Sequence, residues 1–166
     1  MIYNVSNLWS KVSWAPKVTK MPKKEEYEVS EANALKAKAN SCYKMVTDGV
    51  GGCWFAASLG IQNWPVFDWL NAATGWHRSA DAYMEIGERI QTLRQMFNIK
   101  HGIHPMDFKI TDRLAGHPPL ENGPLAEKAF DIEGMMKMYW TVFGWDSDTG
   151  DPTHSAKRML GGINLD

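Results

Sequence analysis

Apolar positions in this chain recur at helical intervals, not at the alternating spacing of strands. Leu35, Ala39, Cys42 and Val46 follow one another at steps of four, three and four, which puts them on one face of a helix. Ser30 stands at the N-cap position, so the pattern predicts a helix from Glu31 that ends in Gly49, Gly51 and Gly52. Pro65 suits the first turn of a short helix over Val66–Ala73, closed by Gly75. The longest predicted helix starts at Ser79 and stops at Gly102. Tyr83, Ile86, Ile90, Leu93 and Phe97 form its inward stripe, with Glu85, Arg89 and Gln95 on the wet side. Asp131 predicts a further cap, with Met135, Met138 and Val142 facing inward and Gly144 as the stop; a last short helix follows Thr153. No alternating run of useful length competes, so the expected fold class is all-α, a multihelical domain with long ordered loops.

Between these segments the chain changes character. Residues 1–28, including "SWAPKVTKMPKKEEYE", read as an irregular N-terminal strap whose Lys-rich part is solvated, and 30–166 as a helical body, together one domain over 1–166. "CWFAASLG" predicts one or two helical turns. From His104 to Glu127, prolines and glycines predict a loop longer than structureless connections usually run, which points to an interface or functional role.

Composition narrows the function. Apolar residues make up 44% of the chain and charged ones 22%, a globular balance, and the net charge of -1 offers no basic field for nucleic acid or an anionic membrane. No apolar run approaches the roughly 18 residues of a bilayer span, and the first residues lack the apolar core of a secretory signal. Two cysteines, Cys42 and Cys53, do not make a disulfide scaffold, so a cytoplasmic location is expected. Eight tryptophans and ten methionines imply a large soft interior, or surfaces that another piece of protein covers.

Most candidate constellations have a plain explanation. His101 and His104 are separated by Gly102, have no third ligand near them, and read as loop histidines. "DSDTGD" lacks the spacing of a calcium loop and reads as turn chemistry. The methionines of "GMMKMYW" read as core filler, and the adjacent charges Glu88 and Arg89 of "GERI" as helix-packing residues or members of a surface ion pair. The stretch "TDGVGGCWF", Thr47–Phe55, has two readings. One is a glycine-terminated helix with a small buried thiol. In the other, glycines let backbone N–H groups approach a bulky ligand. The carboxylate of Asp48 would then grip a ring rich in N–H donors, and the Cys53 thiolate would take iron.

Asp48-x-x-Gly51-x-Cys53 resembles the Asp-x-x-Gly-Leu-Cys segment in the C-terminal part of tungsten-pterin aldehyde ferredoxin oxidoreductases. Three more segments occur in that family's order: "NAATGW" (Asn71–Trp76), "EIGERIQTLRQMFNIKHG" (Glu85–Gly102) and "YWTVFGWDSDTGDPT" (Tyr139–Thr153). The resemblance runs from Glu31 almost to the last residue. It implies a C-terminal piece of an anaerobic oxidoreductase. Such an enzyme holds tungsten, or molybdenum, through two pterins and carries one [4Fe-4S] cluster.

Carried over, Asp48 would contact the pterin, Gly51 and Gly52 would line it, and Cys53 would ligate iron. The other three cluster cysteines of the family come from a C-x-x-C-x-x-x-C run outside these residues. The implied reaction oxidises an aldehyde to a carboxylic acid, with water as oxygen source and ferredoxin as electron acceptor. Implied partners are the remaining domains of the same enzyme, ferredoxin, and an aldehyde or acyl substrate. No catalytic residue is expected within the chain, and the fragment alone is expected to be inactive and to hold no cofactor. A related branch, which reduces aromatic thioesters of coenzyme A, and a non-catalytic helical interaction module are the alternatives. Gly52 stands where the family usually has leucine, which implies a softer loop or a changed pterin contact. Gln95 and Lys100 stand in place of arginines, His101 in place of glutamate, and Thr111 in place of a proline.

Overall fold

The computed structural model describes residues 8–17, 25–53, 55–56 and 64–161, and five α-helices are found there. They are α1 (Glu31–Gly49), α2 (Val66–Thr74), α3 (Ala80–Lys100), α4 (Ile132–Val142) and α5 (His154–Arg158). Short 3-10 turns occur at Leu8–Ser10, Glu25–Tyr27 and Pro105–Asp107. Among the described residues there is no strand, only isolated bridges joining Leu120 to Ala126 and Trp145 to Pro152. The fold is all-α. Residues 18–24 of the Lys-rich strap and most of "CWFAASLG" lie outside the described residues.

The caps follow from local chemistry. Ser30 Oγ accepts the Asn33 N–H at 3.2 Å, Asp131 Oδ1 that of Gly134 at 2.8 Å, and Thr153 Oγ1 that of Ala156 at 3.3 Å. Each satisfies a donor that the first helical turn leaves open. Gly75 closes α2 at φ 71°, its N–H bonded to the Asn71 carbonyl at 2.9 Å.

The chain divides into two compact units, Met1–Val18 with Leu35–Leu93, and Thr19–Ala34 with Arg94–Asp166. The core of the first unit holds Ala39, Cys42, Tyr43 and Val46 of α1, Val66 and Phe67 of α2, and Tyr83 and Met84 of α3. Tyr43 meets Phe67 edge-on at 5.8 Å, and Phe67 stacks on Tyr83 at 5.6 Å. The described stretch 8–17 of the N-terminal strap holds no more than a 3-10 turn. Even so, it buries Leu8, Val12 and Ala15 in this core, so its first part is packed and not merely draped.

At the crossing of α1 and α3, Gly87 faces the Cys42 backbone. A Cβ there would lie 2.7 Å from Cys42 C and 2.9 Å from Cys42 Cα, and nearer still to its carbonyl oxygen. Glycine is needed here for close approach, not for conformation. Beside the crossing, Lys38 Nζ and Glu88 Oε1 pair at 2.7 Å, both side chains mostly covered, and the ammonium stands 5.2 Å over the Trp14 ring.

The second unit packs around Trp140, Phe143 and Trp145, with Pro152, Ala156 and Leu160 from the C-terminal segment. Phe143 and Trp145 lie 4.7 Å apart. Met135, Met138 and Val142 are only half-buried, so the aromatic rings, not the methionines, fill this core. Two expectations for α3 change. Phe97 is 54% exposed, set against His101 at 4.3 Å, while Gly87 and Thr92 are buried. Gln95, expected on the wet side, donates to the Gly150 carbonyl at 3.0 Å.

Candidate functional site

The "TDGVGGC" segment forms the C-terminal stop of α1. Gly51 adopts φ 76°, the left-handed conformation that glycine takes without penalty. Its N–H donates to the Asp48 carbonyl at 3.0 Å, and the next N–H, Gly52, donates to the Thr47 carbonyl at 2.8 Å. These two bonds define a Schellman cap with Gly51 at its left-handed position and Gly52 one residue beyond. Asp48, Gly51, Gly52 and Cys53 thus share one ordered turn.

The two glycines are required for different reasons. A Cβ on Gly51 would meet nothing within 4 Å, so its backbone angle alone demands glycine. At Gly52 the demand is steric. A Cβ there would lie 2.6 Å from Thr47 Cγ2, 2.9 Å from Thr47 O and 3.1 Å from Trp64 Cζ3. In place of the softer loop expected from a second glycine, the turn is closed around Gly52.

Asp48 is exposed and pairs with Lys44 one turn earlier, at 2.6 and 2.8 Å. An acid in the last turn opposes the helix dipole, at a cost of about 0.3–1 kcal/mol. The exposed (i, i+4) pair returns only about 0.3–0.5 kcal/mol. Helix stability alone therefore gives little reason for an aspartate here.

The cysteines differ sharply. Cys42 is fully buried, and its thiol is pushed up to about 12 by burial first and by the nearby Glu88 carboxylate second, with Lys38 opposing. Cys53 is free and exposed just past the cap. Only Cys53 can offer a thiol to a partner or a metal.

Thr47 and Trp64 were not anticipated from the sequence. Thr47 is buried, its hydroxyl donating to the Tyr43 carbonyl at 2.8 Å. The Trp64 indole N–H is buried and meets no acceptor among the described residues. A β-branched residue in the last turn before Gly-x-Gly-Gly was the one available signal for Thr47. Nothing local marks Trp64.

The remaining motifs are architectural. Asn71 of "NAATGW" accepts from the Tyr83 hydroxyl at 2.8 Å and from the Arg78 N–H at 3.1 Å, and donates to the Arg78 carbonyl at 2.9 Å. It ties α2 to the entry of α3. In "DSDTGD", Asp146 Oδ1 accepts the backbone N–H and hydroxyl of Thr149 and the N–H of Asp148. Those bonds, the Thr149 N–H first, hold its carboxyl below the usual range. This is turn chemistry, as expected. His101 and His104 are exposed, and among the described residues no three His, Cys, Asp or Glu side chains converge as a metal site.

A family described as "Aldehyde ferredoxin oxidoreductase, domains 2 & 3" matches residues 5–161. The chain belongs to this family. It is 32% identical over 115 residues to a "Tungsten-containing aldehyde ferredoxin oxidoreductase" of Pyrococcus horikoshii, covering 69% of this chain and 19% of that protein. Proteins of the same description from Pyrococcus abyssi and Thermococcus kodakarensis are each 31% identical over 113 residues, 68% of this chain and 18% of theirs. The chain thus spans about a fifth of the length of the curated relatives it matches. No helix among the described residues is long and apolar enough to cross a membrane.

Proposed function

We propose that this chain is the C-terminal part of a cytoplasmic tungsten or molybdenum bis-pterin oxidoreductase that oxidises aldehydes to carboxylic acids and passes electrons to ferredoxin. In this reading Asp48, Gly51 and Gly52 contact a pterin, and Cys53 ligates one iron of a [4Fe-4S] cluster. The observation that carries it is the exposed Cys53 thiol on an ordered turn, within a family whose named relatives contain tungsten.

The residues present fit one edge of such a group. Asp48 has two carboxylate oxygens, each able to accept more than the single bond that Lys44 supplies. The Cβ direction at Gly52 is filled by Thr47 and Trp64, so a flat ring would have to lie against the opposite face of this backbone. The Trp64 N–H, buried and without an acceptor among the described residues, is a further donor near the same turn. The donor set also limits the chain. Of the two cysteines in the sequence, one is buried with its proton held, whereas a cubane needs four ligands. The other three therefore come from the remaining domains, and these 166 residues alone neither hold the cofactors nor catalyse.

When bound, the metal–pterin centre supplies the two-electron oxidation of an aldehyde and water to a carboxylic acid and two protons, and the cluster relays the electrons. The chain's own part is to hold a carboxylate and a thiol on one turn, the thiol directly after a glycine whose Cβ position is already filled.

The test is Cys53→Ala in the intact enzyme, purified without oxygen and assayed for tungsten, molybdenum and iron. The expected result is retained pterin-bound metal with loss of the cluster EPR signal and of ferredoxin reduction. An unchanged cluster signal rejects the ligand role. Absence of all three metals from the wild-type enzyme would favour the non-catalytic helical module, for which the explanation of Gly51 as a helix stop already speaks.

A further inference from the structure

The turn that presents Cys53 is closed by a side chain with no part in the chemistry above. Thr47 holds Gly52 through two separate atoms. Its carbonyl accepts the Gly52 N–H at 2.8 Å, and its γ-methyl occupies the place a side chain at 52 would need, 2.6 Å from the Cβ position. The hydroxyl is spent on the Tyr43 carbonyl at 2.8 Å, which fixes the side chain's rotamer and so aims the methyl. On another side stands the Trp64 ring, itself braced by Trp69 at 6.3 Å. Gly52 is held by Thr47 and Trp64 together, and Cys53 is the next residue, about 3.8 Å along the chain.

We infer that Thr47 is the positioning residue for the Cys53 thiol, its γ-methyl packing against Gly52 in the place of a side chain at that position. The inference rests on the reading of Cys53 as an iron ligand for its purpose, though not for its geometry. A ligand on a loop can miss a cluster iron by an ångström when its support is loose, and fixed geometry is what second-layer contacts supply to a metal site. The Schellman cap fixes the backbone as far as Gly52, and the methyl and the indole pack against that same residue, directly before Cys53.

The experiment uses the 166-residue chain without metal. A nitroxide is attached to Cys53; Cys42, buried and protonated, stays unlabelled. Gly52→Ala is expected to raise the mobile-to-ordered ratio of the label about fivefold, a factor equivalent to about 1 kcal/mol. Thr47→Ser, which keeps the hydroxyl and removes the methyl, is expected to raise it less. The double variant should recover more than half of the Gly52→Ala effect, because the deleted methyl makes room for the added one. The carbonyl at 2.9 Å keeps the rescue incomplete. Helix content and the resistance of Cys42 to labelling are monitored in every variant.

Label motion unchanged in both single variants overturns the inference, as does a double variant that is simply the sum of the two. Should Gly52→Ala fail to fold, Thr47→Ser decides alone, supporting the inference by increased motion and overturning it by none. In the loaded enzyme, once Cys53→Ala has abolished the cluster signal, Thr47→Ser should alter the EPR line shape of the cluster with tungsten content unchanged; an unaltered line shape then rejects the positioning role. Because the label experiment needs no metal, a failed iron-ligand test leaves the clamp standing, and a failed clamp leaves the ligand role open.

Discussion

Gly87→Ala is the sharpest test of how the first unit is built, because two well-known effects predict opposite signs. In an unpacked helix, glycine to alanine stabilises by about 1 kcal/mol. In α3 the new methyl would lie 2.7 Å from Cys42 C and 2.9 Å from Cys42 Cα, nearer still to the carbonyl oxygen. These are backbone atoms in the middle of α1, with no flexible end to swing aside. Relief requires the helices to separate, and Ala39, Cys42, Tyr83 and Met84, all buried, lose contact as they do. Overpacking of this kind costs about 1–3 kcal/mol, with rigid backbone at the upper end. Set against the propensity gain, the net destabilisation is about 2 kcal/mol, a fall in Tm of about 4–8 °C for a chain of this size.

The assay is reversible urea or thermal unfolding followed by circular dichroism, with Gly49→Ala as control. A Cβ at Gly49 meets nothing within 4 Å, so that variant should be neutral or slightly stabilising. A Gly87→Ala chain as stable as wild type, or more so, would show that α1 and α3 do not cross as closely as described.

Three other outcomes follow from the same structure. Glu88→Gln leaves the Lys38 ammonium mostly covered and without its carboxylate, and should cost about 2–3 kcal/mol in unfolding experiments, against under 0.5 kcal/mol for an exposed pair; the smaller value would mean the pair is solvated. The native state keeps the Cys42 proton, its pKa raised to about 12, where the unfolded chain gives it up near 9.0. Its contribution is therefore intact below about pH 9 and falls by about 1.4 kcal/mol per pH unit toward pH 12, and Cys42→Ala should flatten that alkaline slope in urea titrations; an equal slope in both proteins refutes the assignment. Asp48→Asn should leave stability within about 0.5 kcal/mol of wild type, because the lost exposed ion pair and the relieved dipole penalty nearly cancel; a loss above 1 kcal/mol would make Asp48 structural.

What was legible in the sequence is what local chemistry decides. Ser30, Asp131 and Thr153 cap because each side chain reaches a donor three residues on, and Gly75 stops its helix through its own backbone angle. The alternation of buried positions in α1 follows from helical geometry alone. Where the outcome depends on a partner distant in sequence, the pattern misleads. Phe97 continues the apolar rhythm of α3 yet is exposed, since periodicity says which face a residue shares and not whether that face is covered. Gly87, read locally, is a weak point in a helix; only the Cys42 backbone opposite turns it into a requirement. Lys38 and Glu88 are 50 residues apart, and neither announces the other.

The candidate loop combines both kinds of information, and this explains why it invited two readings. Gly51 is fixed by its own angle and would be glycine in any helix stop of this type, so its presence says nothing about a ligand. Gly52 and Thr47 are fixed by each other, which a helix stop does not require, because the residue beyond the left-handed position commonly bears an apolar side chain that makes the same contact itself. Moving that methyl from residue 52 to residue 47 preserves the packing and leaves residue 52 without a side chain, directly before the exposed thiol. A cap does not need an acid in its last turn, whereas a bound heterocycle rich in N–H donors beside an iron ligand would use one.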